Sequence, residues 1–297
     1  MHSVQSFEAS DAPDLHPGFQ VRIPDPLECL PPRARRNFGK HHIHPHWSAT
    51  TTECFARPKA QWEPCDLESI SSIEPYYHVT HRRKQFTFAY LSRKNGRTQT
   101  GESWWEYCYA RRLEVDPHVA DYQLGGLRIT WRTTTGLRHY TPDAVRVSAA
   151  GQVSADEVKA SGSYFHEPNY AAKMSFVEGS LAAAGLDFDK IDGDSMLERR
   201  RMQYNVAMAF DDRFARFGEP EVAALHCAIS DYETGASISE IAHAMRLHPA
   251  AALQIVNAMM CKGLVSYDLE RPANSETIVR LFPKPVVPLP DIRSIQI

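Results

Sequence analysis

Two short stretches of the 297-residue sequence hold residue types that could act on a phosphodiester. The first is Tyr140-Thr141-Pro142-Asp143; the second, beyond a turn at Ala150-Gly151, is Glu157-Val158-Lys159. Side chains alternate along a β-strand, so Glu157 and Lys159 share one face while Val158 points into a core. If the strand that follows Asp143 pairs with this one, Asp143 stands beside them. Metal-dependent phosphodiester hydrolysis needs this set: hard carboxylate oxygens converging on one or two Mg²⁺ ions, and an ammonium near the attacking water and the phosphate. A solvated hairpin with ordinary surface charges gives the same short pattern, so the residues around it have to decide.

The arrangement P-D, spacer, (D/E)-x-K resembles the PD-(D/E)xK nuclease superfamily. Upstream lie Ser92-Arg93-Lys94-Asn95-Gly96-Arg97, then Ser103-Trp104-Trp105-Glu106, then Leu113-Glu114-Val115-Asp116. This succession is similar to TnsA, the endonuclease subunit of heteromeric transposases, in which S-x-K-x-G-R precedes S-x-x-E on a helix that ends in L-E-x-(D/E). The resemblance runs over residues 88–161, roughly a quarter of the chain. It implies a restriction-endonuclease-like mixed α/β sheet flanked by helices, with Glu106, Asp143, Glu157 and Lys159 as catalytic residues. Glu106, Asp143, Glu157 and the Val158 carbonyl would hold Mg²⁺, as two ions, with Mn²⁺ able to substitute. Glu102 competes with Glu106, four residues away on one helical face; the spacing to Leu113-Glu114 favours Glu106. One departure stands out, since the family's Q-P pair is replaced by Gln123 followed by Leu124-Gly125-Gly126.

The implied activity is hydrolysis at the 5′ ends of a transposon on double-stranded DNA, beside a TnsB-type transposase and a TnsC-type AAA+ regulator. A stand-alone restriction or repair nuclease and a non-catalytic DNA-end adaptor are the competing readings. Between Pro75 and Gly101 there are six basic residues, Arg82, Arg83, Lys84, Arg93, Lys94 and Arg97, and no acidic one. These are the expected DNA contacts.

The elements that must position these groups follow from periodicity. Trp105, Tyr109 and Leu113 recur every four residues and predict a helix over 102–114, stopped by Asp116-Pro117. Strands are expected over 127–131, 138–147 and 153–160, a helix over 169–184 closed by Gly185, and a strand over 186–191. Together these make an α/β endonuclease unit over 81–218, preceded by an irregular arm over 1–80. From Pro220 the pattern turns to short helices over 221–232, 237–245 and 249–261, then strands over 264–269 and 277–282. Three helices and a hairpin suggest a winged-helix-like α+β domain over 219–282. The helix over 249–261 has no basic residue, which favours protein docking over groove reading. Residues 283–297, with Pro283, Pro285, Pro288 and Pro290, read as an extended tail suited to a partner's groove.

Composition sets the outer bounds. A 43% hydrophobic fraction supplies core for two units, and no apolar run reaches the ~18 residues of a membrane span. The N-terminus lacks an apolar signal segment, and the six cysteines form no C-x-x-C pair, so a reducing bacterial cytoplasm is expected, near the nucleoid. The net charge of -3 hides an asymmetry: residues 1–150 carry 19 basic and 16 acidic groups, and 151–297 carry 14 and 20. The run His41-His42-Ile43-His44-Pro45-His46 reads as an exposed loop, with DNA-phosphate contact as its functional alternative. Arg33, Arg35 and Arg36 suggest a similar contact arm.

Overall fold

The computed structural model describes residues 66–74, 86–230, 234–283 and 288–297. The histidine run, Arg33, Arg35, Arg36, Arg82, Arg83 and Lys84 lie outside the described residues.

The first part of the chain is a mixed α/β unit. Its main sheet has the order β4-β7-β8-β9, built from β4 (Val119–Leu124), β7 (Ala144–Ser148), β8 (Val153–Lys159) and β9 (Asp187–Asp192). Strands β4, β7 and β8 pair antiparallel, whereas β8 and β9 are parallel. The parallel step needs a crossover, supplied by helix α2 (Pro168–Ala183), which ends at Gly185 with φ +75. A second sheet, of order β1-β5-β6, joins β1 (Asp66–Ser72), β5 (Leu127–Thr133) and β6 (Gly136–Tyr140). Its apolar face, with Ile70, Leu127, Ile129, Trp131 and Tyr140, packs in one core with Val145, Val147 and Ala155 of the main sheet and Met174, Val177 and Leu181 of α2. The opposite face of the main sheet packs Tyr122, Leu124, Ala144 and Val158 against helix α1 (Trp104–Val115). A hairpin of β2 (Phe88–Leu91) and β3 (Thr98–Gly101) leads into α1.

The expected single strand over 138–147 is two strands in two different sheets. Pro142 cannot donate a ladder hydrogen bond, and the chain breaks at Thr141-Pro142-Asp143 between β6 and β7. Likewise, residues 66–72 belong to a sheet and not to an irregular arm: β1 pairs with β5 from Asp66↔Arg132 to Ser72↔Leu127. Strands β2 to β4 and the helices α3 (Gly193–Glu198) and α4 (Arg200–Asp212) add to the elements expected from the sequence.

The C-terminal part runs α5 (Glu219–Ser230), β10 (Ala236–Ser237), α6 (Ile238–Met245), α7 (Pro249–Cys261), β11 (Val265–Ser266) and β12 (Ile278–Leu281), with strand order β10-β12-β11. The Ser237/Glu240 spacing forms the anticipated reciprocal capping box at the start of α6. Helix α7 buries Ala252, Val256 and Asn257 to Cys261, sharing one core with Val206, Ala209 and Phe210 of α4 and Val115 of α1. The tail does not wait for a partner's groove. Ile292 is buried in the core beneath the β1-β5-β6 sheet, and residues 295–297 pair with β1 through Ser72 N–H to Ile295 O (2.7 Å), Ile70 N–H to Ile297 O (2.9 Å) and Ile297 N–H to Ile70 O (2.8 Å). Among the described residues no helix is long and apolar enough to cross a membrane.

Candidate active site

The break at Pro142 puts Asp143 at the mouth of the β7–β8 pair. Its backbone carbonyl accepts from Gly125 N–H in the β4–β5 turn (3.0 Å), and its Oδ2 accepts from Val158 N–H on β8 (2.7 Å). Strand alternation then turns Glu157 and Lys159 to the face covered by α2, and Val158 to the α1 side. Glu157 is 4% exposed, and both its oxygens are engaged. Tyr140 donates to Oε2 at 2.5 Å; Tyr170, on the first turn of α2, donates to Oε1; and Lys159 Nζ donates to the same Oε1 at 2.5 Å. Lys159 Nζ also donates to Val158 O at 3.0 Å and lies 3.6 Å from Asp143 Oδ2.

Glu106 enters from α1. Ser103 caps that helix by accepting from Glu106 N–H at 3.1 Å, and Glu106 Oε2 accepts from Glu102 N–H at 3.0 Å, so the S-x-x-E spacing acts locally as a cap. Gly101 makes room first for the Phe88 ring and then for this carboxylate, since a Cβ there would run into the ring and stand 2.8 Å from Glu106 Oε2. Glu102 is exposed and Glu106 is half-buried, which favours Glu106 as the helix carboxylate of the site.

The electrostatics bind the four groups together. Burial pushes the Asp143 carboxyl up to about 8, Glu157 and Glu106 add to the rise, and Lys159 and the Val158 N–H oppose it. Burial also raises Glu106, against the Glu102 and Ser103 hydrogen bonds and the Lys159 charge. Lys159 is itself buried, which works against its charge, yet Asp143, Glu157 and Glu106 hold it above the ordinary lysine value. Burial and then the Glu157 carboxylate push Tyr140 well above the phenol range, so it remains a donor.

Does this set fit Mg²⁺? Among the described residues no three His, Cys, Asp or Glu side chains already stand at metal-ligand spacing. The donors are nonetheless all hard oxygens, from Asp143, Glu157, Glu106 and the Val158 carbonyl. Lys159 pairs with two of the carboxylates, Asp143 and Glu157, and Asp143 is raised chiefly by burial and further by the neighbouring Glu157 and Glu106 charges. A divalent cation suits both conditions.

The S-x-K-x-G-R stretch does a different job from the one expected. It forms the β2–β3 turn and closes on the C-terminal end of α1. Glu114, fully buried, accepts from Ser92 Oγ (2.6 Å), Tyr122 OH (2.7 Å), Arg93 N–H (2.6 Å) and Lys94 N–H (3.1 Å). Lys94 Nζ donates to Asp116 O at 2.6 Å and to Val119 O, which leaves that ammonium no part in phosphate contact. Arg97 is turned to Asp121 and to Tyr122 O. Of the three described basic residues, only Arg93, beside the Phe217 ring, keeps a guanidinium not committed to an ion pair. Gln123 meets Gln99 in a buried amide pair, Nε2 to Oε1 at 3.3 Å. Trp104 packs edge-on against Phe86 in the core.

Sequence reasoning missed Tyr140 as a partner of Glu157, although it opens the quoted motif, and missed Tyr170 and Lys173 altogether. A tyrosine and a lysine three apart on a helix that directly follows the motif strand was the available signal. No family model and no curated protein matches this sequence.

Proposed function

We propose that this chain is a TnsA-like, Mg²⁺-dependent DNA endonuclease subunit with a restriction-endonuclease-like catalytic unit, cleaving 5′ ends of a transposon alongside a TnsB-type transposase and a TnsC-type regulator. The observation that carries it is the Asp143–Glu157–Lys159 constellation at the open end of β7 and β8, closed by Glu106 from the cap of α1. Asp143, Glu157, the Val158 carbonyl and Glu106 would hold the cation. Bound Mg²⁺ supplies acidity for the attacking water and charge for the leaving oxygen. Lys159 sets its ammonium between the two strand carboxylates, where it orients the water and meets the phosphate. Tyr140 and Tyr170 fix the Glu157 carboxylate while α2 shuts solvent from its inner side.

Three side-chain donors, Tyr140, Tyr170 and Lys159, orient the Glu157 carboxylate. The C-terminal unit is read as winged-helix-like, and its α7 argues for protein contact. Asn257, a polar residue that a groove-reading helix could use, is buried and bonded to Asp212 Oδ2 and Tyr267 OH, both at 2.8 Å. The test is to incubate the protein and Mg²⁺ with labelled duplex carrying transposon ends, with and without the partner transposase, and to map the cut strand. Cleavage at the 5′ ends only with the partner is expected. Cleavage without it identifies a stand-alone nuclease, and none in either case identifies an adaptor.

A further inference from the structure

Lys173 lies one turn beyond Tyr170 on α2, on the same helical face. Its ammonium sits 4.2 Å from the centroid of the Tyr140 ring and 5.9 Å from that of Tyr170. The hydroxyls of these same two rings hold Glu157. Lys159 Nζ lies 5.7 Å from the Tyr170 centroid, so the two lysines share one aromatic wall. Yet the two differ in a decisive way. Lys159 is bonded to a carboxylate, whereas Lys173, half-buried, has no hydrogen bond and no ion pair among the described residues.

A half-buried ammonium without a counter-ion has lost part of its hydration for only ring contacts in return. Burial accordingly lowers Lys173 from the ordinary lysine value; Glu157 and Asp143 draw it up and Lys159 draws it down, so it stands within the field of the site. Such a cation, seated on a rigid helix beside acids that would themselves be neutralised by metal, is complementary to an incoming anion. The anion a nuclease brings there is a phosphodiester.

We propose that Lys173 is a substrate-contacting residue of this site, binding a non-bridging oxygen of the DNA phosphate presented to Asp143, Glu157 and Lys159, with the Tyr140 and Tyr170 rings as its seat. Lysine serves here as a point charge, which fixes the strand without reading its sequence. The inference rests on the nuclease reading and adds to it a contact from α2, on the side opposite α1.

The test compares wild type, Lys173→Gln, Lys173→Arg and Lys190→Gln. Lys190 is the charge-loss control: exposed on β9, its ammonium is paired with Glu178. Binding of a fluorescein-labelled DNA duplex is followed by anisotropy in Ca²⁺ buffer across a KCl series, after circular dichroism melts confirm equal folding. Lys173→Gln is expected to weaken binding roughly fivefold and to make the slope of log K against log [KCl] shallower by about 1, the mark of one lost phosphate contact. Lys173→Arg should restore most of both, and Lys190→Gln should match wild type. If Lys173→Gln binds with wild-type affinity and slope, the proposal is overturned while the nuclease reading stands. A wild-type protein that binds no duplex overturns this proposal, whereas the nuclease reading stands or falls by cleavage in the presence of the partner transposase.

Discussion

At the residue scale the site sets three carboxylates against the Lys159 ammonium, with Lys173 close by, and its single hydrogen bonds have measurable weight. Tyr140 is buried and donates to a buried carboxylate, a class of hydrogen bond worth about 1.5–3 kcal/mol. Tyr140→Phe should lower unfolding stability by about that amount in urea titration. Tyr170→Phe should cost less, because its ring is half exposed. Away from the site, Lys94 offers a test in pH. Burial lowers its ammonium from 10.5 to about 8. Between those values the unfolded chain binds more protons than the folded one, so this group's contribution to stability rises with pH across the window. The stability of wild type relative to Lys94→Met should therefore grow between about pH 7.5 and about pH 9.5. A difference that stays constant would show that Lys94 is not held down.

At the element scale the central object is α1, fastened at both ends. Ser103 and Glu106 cap its start, and the β2–β3 turn grips Glu114 at its finish. Glu114→Ala would strand the Arg93 and Lys94 backbone N–H groups, each costing about 1–3 kcal/mol when left unpaired, and remove a bond from the Ser92 and Tyr122 hydroxyls, so a loss of about 4 kcal/mol or more is expected in urea unfolding. A loss under about 1 kcal/mol would mean the turn is held by something else. The sequence made α1, α2, α6 and α7 legible because apolar spacing, Gly185 and the Ser237/Glu240 cap are local signals. Strands β1 to β4 escaped because they are short or irregular, and β1 takes its pairing from residues some sixty positions away, as in Ser69↔Thr130. The site was legible in part for the same reason. Asp143, Glu157 and Lys159 announce themselves by spacing, whereas Tyr170 and Lys173 reach it only through the fold of the β8-α2-β9 crossover. Charge in a sequence does not say what the charge is bonded to, and in the basic stretch Lys94 and Arg97 are bonded to the segment from Asp116 to Tyr122.

At the scale of the whole molecule the two parts are joined more closely than a linker would join them. Helix α7 shares its core with α4 and α1, Lys262 Nζ reaches Lys94 O at 3.4 Å, and the His118 and Phe282 rings meet edge-on at 4.8 Å. The tail then returns to β1. Removing residues 291–297 takes Ile292 from the core along with three backbone hydrogen bonds to β1. A truncated core isoleucine alone costs about 2–5 kcal/mol, so a clear fall in melting temperature is expected by calorimetry. An unchanged melt would show the tail to be peripheral. Under the proposed function, the charge asymmetry of the sequence would assign the acidic C-terminal part to protein contact and the N-terminal part to DNA. The central claim is that Asp143 and Lys159 belong to a hydrolytic centre, and its most direct measurement is the time course of 5′-strand cleavage of an end-bearing duplex with Mg²⁺ and the partner transposase. Asp143→Ala and Lys159→Ala, each first shown by circular dichroism to be folded, are predicted to cut no strand that wild type cuts. Cleavage by either variant at the wild-type rate would contradict the account.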